Sequence, residues 1–339
     1  MVCKKAISSH SLGRAAVHDF TSKLNQAARY GFDLELFYED LQYVAKSKSG
    51  SEEECLLEAA RDIRTQCKQR CISIICLQPF MHYEGLRDRQ KHAQRIKEME
   101  LWIQLALELH TPLICIPSSF LPESEASGDL DLIVADLREV ADLAAPHGLL
   151  MTYESLAWGT HSDTWERSWE IVQRVDRHNF GLCLDTFNMA GRVYADPAVE
   201  GGRTPNAEAD MAASLRRLVQ DVDVSKVFFV QVVDAAYLSR PLDENHEYYV
   251  PGQPARMSWS RNCRLFYGEH DRGAYLPIAA ILKAILVDLG YHGYVSAELF
   301  SASLFDPSPD TPAEHARRAT ISWRKIERDF LARHMGAQL

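Results

Sequence analysis

The sequence predicts a single (β/α)8, or TIM, barrel, and three observations carry that reading. Eight short apolar runs punctuate the chain. Their apolarity is continuous rather than alternating, as suits strands covered on both faces of a parallel sheet. Stretches of helical period separate almost all of them, over 339 residues, a normal length for one such barrel.

The predicted strands are Lys5–Ser8, Asp33–Phe37, Ile72–Leu77, Leu113–Pro117, Leu149–Tyr153, Phe180–Leu184, Val227–Val233 and Tyr294–Leu299. Between them, Ile96, Met99, Ile103 and Ala106 recur at spacings of three and four, with polar residues between. Leu130, Ile133, Val134, Leu137, Ala141 and Ala144 do the same, until Pro146 and Gly148 stop the helix. Further helices are expected over Thr21–Tyr30, Glu52–Arg70, Ser162–Arg177, Ala207–Val219, Leu276–Leu289 and Ala313–Arg333. Neither a repeat nor a Pro/Ser-rich linker divides the chain, so residues 1–339 read as one domain. Two connections are long, Met189–Asn206 and the β7–α7 loop at Asp234–Ala274. Long loops after barrel strands lie on the face where such barrels place their chemistry.

Composition narrows the function. Hydrophobic residues make up 46% and charged residues 25%, enough for a large core in water. Forty-seven acids against 37 Lys and Arg give a net charge of −10, which opposes binding to nucleic acid or anionic lipid. The eight cysteines form no Cys-x-x-Cys pair, and Cys76, Cys115 and Cys183 lie in apolar runs, as small buried hydrophobes of a reducing compartment. The N-terminus lacks a signal-like apolar stretch, and Gln231 and Asp234 break the most apolar run, so a cytoplasmic protein without membrane partners is expected.

The polar residues that interrupt the apolar runs carry the chemistry. Glu154 and Asp185 end the fifth and sixth strands, Gln231 lies in the seventh, and Glu298 in the eighth. All four fall at the C-terminal mouth of successive strands. Buried carboxylates are costly unless each is paired with a Lys or Arg, or together they bind a cation. An all-oxygen set in register favours one divalent metal ion, Mg²⁺ or Mn²⁺ before Zn²⁺, with Co²⁺ a workable substitute.

Glu35 ends the second strand as a substrate-binding candidate. Gln78 and His82 follow the third, and Ser118 and Ser119 the fourth. His82 and His161 both follow directly from strand ends and are the candidates for proton transfer, because imidazole titrates near neutrality. Glu39 and Asp40 read as solvated or helix-capping. The seventh loop gathers Arg256, Arg261 and Arg264 with Ser258, Ser260, Tyr248, Tyr249 and Tyr267, a cationic cluster in an acidic chain. Arginine forks bind carboxylates, so a small carboxylate substrate is expected. Glycine-rich phosphate loops and Gly-x-Ser-x-Gly elbows are absent, which removes nucleotide cofactors and serine acyl transfer from the leading readings.

At these residues the sequence resembles the xylose-isomerase-like barrel superfamily and, more narrowly, the fungal 3-dehydroshikimate dehydratases of quinate catabolism. The likeness spans the chain: Ala6-Ile-Ser-Ser-His-Ser-Leu-Gly13, Leu34-Glu-Leu-Phe-Tyr-Glu-Asp40, Gln78-Pro-Phe-Met-His-Tyr-Glu-Gly85, Tyr153-Glu-Ser-Leu-Ala-Trp-Gly159 and Leu184-Asp-Thr-Phe-Asn188. Ser260 and Arg264 match a substrate-binding Ser-x-x-x-Arg of that family. The resemblance implies metal-dependent dehydration of 3-dehydroshikimate to protocatechuate, with Glu154, Asp185, Gln231 and Glu298 as metal ligands. One position departs from it: many superfamily members have His where this chain has Asn188. Three other classes remain as alternatives. A sugar isomerase or epimerase would not need the arginine cluster. An abasic-site endonuclease would want more His ligands and a basic groove. A non-catalytic ligand-binding barrel would be expected to lose one of the four ligands.

Overall fold

The computed structural model describes residues 3–332. Met1, Val2 and the Arg333 end of the last expected helix lie outside the described residues. Eight parallel strands close into a barrel: β1 (Lys4–Ser8), β2 (Asp33–Phe37), β3 (Ile74–Gln78), β4 (Leu113–Pro117), β5 (Leu150–Glu154), β6 (Phe180–Asp185), β7 (Val227–Gln231) and β10 (Tyr294–Ala297). Each pairs with its neighbour in sequence order, and β10 closes the ring on β1. A two-stranded antiparallel ribbon, β8 (Asp234–Ala235) with β9 (Arg264–Leu265), stands above the seventh strand.

The helices are α1 (Phe20–Arg29), α2 (Tyr38–Ala45), α3 (Glu52–Gln69), α4 (Arg89–Leu109), α5 (Leu130–Ala144), α6 (Trp165–Val175), α7 (Thr186–Val193), α8 (Ala207–Asp221), α9 (Ala255–Cys263), α10 (Ile278–Leu282) and α11 (Thr311–Ile326). Local signals start several of them. Asp19, Asp88 and Thr164 cap α1, α4 and α6 through side-chain oxygens. Ser51 and Glu54 form a reciprocal capping box at α3, worth about 1 kcal/mol. The last helices loosen into wider i→i+5 turns at Lys283–Asp288 and Glu327–Leu331.

The third strand begins two residues later than its apolar run. Ile72 is still part of the α3 ending: Cys71 takes a left-handed conformation, and the Ile72 N–H bonds back to the Cys67 carbonyl. Three helices, α2, α7 and α9, also stand where the sequence promised only connection. Asp40 is corrected too. It lies in the first turn of α2 but is buried, and its carboxylate takes a 2.7 Å bond from Lys23 rather than solvent.

The strand interior is a packed core, not a pore. Glu35, Cys115, Cys183 and Ser296 from alternate strands form a polar floor beneath the mouth, with Ser296 donating to Glu35 and Cys115 and Cys183 beside Glu154. All eight cysteines are free, and Cys76, Cys115 and Cys183 pack in one buried apolar cluster. No helix among the described residues is long and apolar enough to cross a membrane.

Candidate metal centre and active-site cavity

Strand geometry brings three of the four predicted ligands together. Glu154 and Asp185 are the last residues of β5 and β6, and Glu298 follows β10 directly. One oxygen from each lies within 4.8 Å of the others, and all three side chains are buried. Gln231 pairs in register with Asp185 on one side and Ser296 on the other, which places it between these acids. Its amide nitrogen donates to Glu35 at 2.7 Å, and its oxygen accepts from the Cys183 thiol at 3.1 Å.

Glu35 therefore does not line the cavity described below. It is fully buried, one layer below the ligands, where it orients Gln231. Burial pushes its carboxyl up to about 7, against the hydrogen bonds from Ser296 and Gln231. Burial likewise lifts Glu154 and Glu298 well above the ordinary carboxylate range. Neighbouring negative groups add to this: Cys115 and Glu298 at Glu154, and Glu35 at Glu298. Carboxylates raised this way are stabilised in their ionised form by a cation. The three converging carboxylates are an oxygen donor set that fits a hard divalent ion, with the Gln231 amide oxygen, held on the Cys183 thiol, as the fourth candidate.

Two further side chains organise the acids. Asn188, on the first turn of α7, accepts the Ala157 N–H at 3.0 Å through Oδ1. Its Nδ2 must then face the acids, and it donates to Glu154 at 2.8 Å and Asp185 at 3.0 Å. The amide orientation is fixed by the backbone donor. Arg264 arrives from the seventh loop because its N–H bonds the Phe300 carbonyl, seating β9 over the end of β10. Its Nη1 donates to Asp185 at 2.8 Å and Glu298 at 2.9 Å, and its Nε to Ser260 Oγ at 3.0 Å. Only Nη2 remains for a ligand, so the two-point fork expected of this arginine is already half spent. Gln78 completes the frame, donating to the other Glu298 oxygen at 2.8 Å.

A cavity of about 680 Å³ opens above the acids. Glu154, Glu298, Gln78, Ser260, Arg261 and Arg264 form its polar wall, and Phe37, Phe120, Leu156, Trp158 and Phe300 its apolar one. Arg14 and Glu39 pair at its rim at 2.8 Å.

The two candidate imidazoles are not brought to this cavity. His82 borders a separate surface cleft with Lys91, Gln94 and Arg95, edge-on to Phe120, with Ser119 Oγ at 3.4 Å. His161 packs against Gly128 and meets the Ala126 carbonyl at 3.2 Å. Ser118 Oγ accepts the Leu156 N–H and supports the β5 loop. Elsewhere in the seventh loop, Arg256 is tied to the Gly191 and Ala195 carbonyls, Ser258 to Gln253, and Tyr267 to Asp329. Tyr248 packs against His246 with the rings tilted, and Tyr249 is exposed. His10, not among the expected site residues, is a buried imidazole between Phe37 and Phe300 with Glu39 3.9 Å away. Its position after β1 was the signal available.

A closed parallel barrel with acids converging at its C-terminal mouth defines a TIM barrel with its polar groups on the face where such barrels place their chemistry. The chain belongs to the xylose isomerase-like TIM barrel family, which matches residues 24–325. Within it, the chain is 53% identical to the 3-dehydroshikimate dehydratase of Neurospora crassa, over 97% of this chain and 95% of that one. It is 31% identical to the Pseudomonas aeruginosa 3-dehydroshikimate dehydratase over 82% of its length, but spans only 36% of that longer protein. Among solved structures, a xylose isomerase-like TIM barrel/4-hydroxyphenylpyruvate dioxygenase fusion protein superposes with a TM-score of 0.75 at 28% identity. That match covers 99% of this chain and 45% of the fusion.

Proposed function

We propose that this chain is a 3-dehydroshikimate dehydratase, releasing water from its substrate to give protocatechuate, with one divalent cation held by Glu154, Asp185, Gln231 and Glu298. The observation that carries the reading is the single cavity that joins Glu154 and Glu298 of this buried cluster to the Arg264–Ser260 pair. The identity with the Neurospora dehydratase supports it.

The reaction removes a proton from the carbon next to the substrate ketone and expels the hydroxyl one carbon further on, after which tautomerisation gives an aromatic ring. When bound, the cation supplies Lewis acidity toward the ketone, and the oxygen donors suit Mg²⁺ or Mn²⁺, with Co²⁺ as a substitute. The chain's own residues do the positioning. Ser260 accepts from Arg264 and so keeps its own proton to donate, beside the free Nη2 edge. Together they offer the substrate carboxylate two donors from two residues. Asn188 and Gln78 hold the acids in place, and the aromatic wall excludes water from the ring faces. The net charge of −10 fits a small-molecule substrate better than a polyanionic partner, and the reading places the enzyme in the cytoplasm.

Mixing the purified protein with 3-dehydroshikimate and Mn²⁺ should produce the ultraviolet spectrum of a catechol. Chelator-treated protein, shown to be metal-free by elemental analysis, should lose the activity and regain it with Mn²⁺. Absence of turnover in the loaded protein overturns the assignment. Full turnover without metal overturns the metal's part in it.

A further inference from the structure

The charge inventory of the centre says more than which residues would hold an ion. Glu154, Asp185 and Glu298 bring three acidic groups into one buried cluster. One cation stands among them, Arg264, only 2% exposed. Its Nη1 bridges Asp185 and Glu298, and its guanidinium lies over the rings of Phe187 and Phe300, 4.4 and 5.1 Å from their centroids. With Nε on Ser260 and the backbone N–H on Phe300, the group is fixed from four sides. An arginine keeps its charge at every working pH, so this is a permanent charge in a desolvated place.

We propose that Arg264 is the internal counter-ion of the metal centre: three carboxylates and one guanidinium leave a net charge of minus two, which a divalent cation neutralises and a trivalent cation overfills. The arginine thereby selects the charge of the ion, a role distinct from meeting the substrate. This rests on reading the acids as a metal site. Glu35 does not enter the count, because it lies a layer below with its oxygens on Gln231 and Ser296. Coulomb attraction scales with the product of the charges. One extra negative charge at the centre therefore strengthens binding of a trivalent ion about half as much again as binding of a divalent one.

Two variants change that charge by opposite routes. Arg264→Gln removes the guanidinium. Asn188→Asp keeps Arg264 and adds a carboxylate at the atoms facing Glu154 and Asp185, with its other oxygen still available to the Ala157 N–H. Dissociation constants would be measured for Mn²⁺ by electron paramagnetic resonance of the free ion, and for Tb³⁺ by tryptophan-sensitised luminescence. Both variants should bind Mn²⁺ more tightly than wild type, and the Tb³⁺-over-Mn²⁺ preference should rise at least tenfold. Arg264→Lys, which keeps the charge, should hold the wild-type preference within about threefold. If Arg264→Gln fails to fold, the nearly isosteric Asn188→Asp decides alone. An unchanged or lowered preference in Asn188→Asp, or weaker Mn²⁺ binding in a folded Arg264→Gln, overturns the counter-ion role while leaving the metal site standing. Wild-type protein that binds no divalent ion overturns both.

Discussion

Asn188→Leu is the most informative single perturbation of the centre. The leucine has similar bulk but removes three hydrogen bonds: donations to Glu154 at 2.8 Å and Asp185 at 3.0 Å, and acceptance from Ala157 N–H at 3.0 Å. Bonds to charged groups contribute roughly 1.5–3 kcal/mol each, and stranding the backbone donor costs about 1–3 kcal/mol. Strict addition would overstate the sum, because the three share one side chain and the acids can take up protons instead. A loss of about 3–5 kcal/mol is expected for the metal-free protein. With Mn²⁺ bound, the two carboxylates have another partner, so the loss should shrink by at least 1 kcal/mol. The assay is urea unfolding of wild type and variant, metal-free and at one fixed Mn²⁺ concentration, about a hundred times the wild-type dissociation constant. At that excess the ion adds about 2.7 kcal/mol to the wild type, and the shrinkage appears as a further gain of about 1 kcal/mol in the variant, equivalent to about fivefold tighter Mn²⁺ binding. A metal-free loss below about 1 kcal/mol, or a loss that grows when Mn²⁺ is added, would refute the idea that Asn188 restrains two metal ligands.

Three other expectations follow from the same contacts. Burial holds His315 down to about 4, with Nδ1 on the Ser11 carbonyl and Nε2 beside Ser303 Oγ. Because this folded value is depressed, its contribution to stability is fully present above the unfolded value near 6.5 and is lost as pH falls toward 4. The loss is about 3 kcal/mol, and His315→Gln should flatten that part of a stability-versus-pH curve. Lys23 and Asp40 form a wholly buried pair at 2.7 Å, so Lys23→Met should cost about 3–5 kcal/mol. Adding Asp40→Leu should recover most of it in chemical denaturation, and a double variant no better than the single one would contradict the pairing. His82→Gln and His161→Gln should keep catalytic efficiency within about threefold, since neither ring borders the cavity. Losses of a hundredfold, the usual scale for a general base, would show that one of those segments reaches the substrate.

The positions of Glu154, Asp185 and Glu298 were legible because a carboxylate at the end of an apolar run has few inexpensive explanations. Strand order alone makes them neighbours. Asn188 was visible as a departure from relatives, but its role was not, because that role depends on Ala157 N–H fixing the amide. The imidazoles lie off the cavity for a different reason. Following a strand end places a residue at the mouth, and it says nothing about which side of Phe120 the ring falls on. Asp40 was misread because its partner Lys23 sits on another helix. The α9 segment was hidden within a long connection, since its polar residues follow no clear amphipathic period and so resemble a loop.

By itself the sequence determined the eight-stranded barrel, the mouth at which its acids gather, their carboxylate character and the net acidity of the chain. These follow from periodicity and residue type, which are local along the chain. The tertiary structure alone decided that Gln78 would reach Glu298 across 220 residues and that Arg264 would bridge Asp185 and Glu298. It also turned Glu35 from the cavity to Gln231. Those pairings depend on which buried polar groups find each other once the barrel has closed. Short-range patterns do not encode that choice, because each such group has several partners open to it until packing removes all but one.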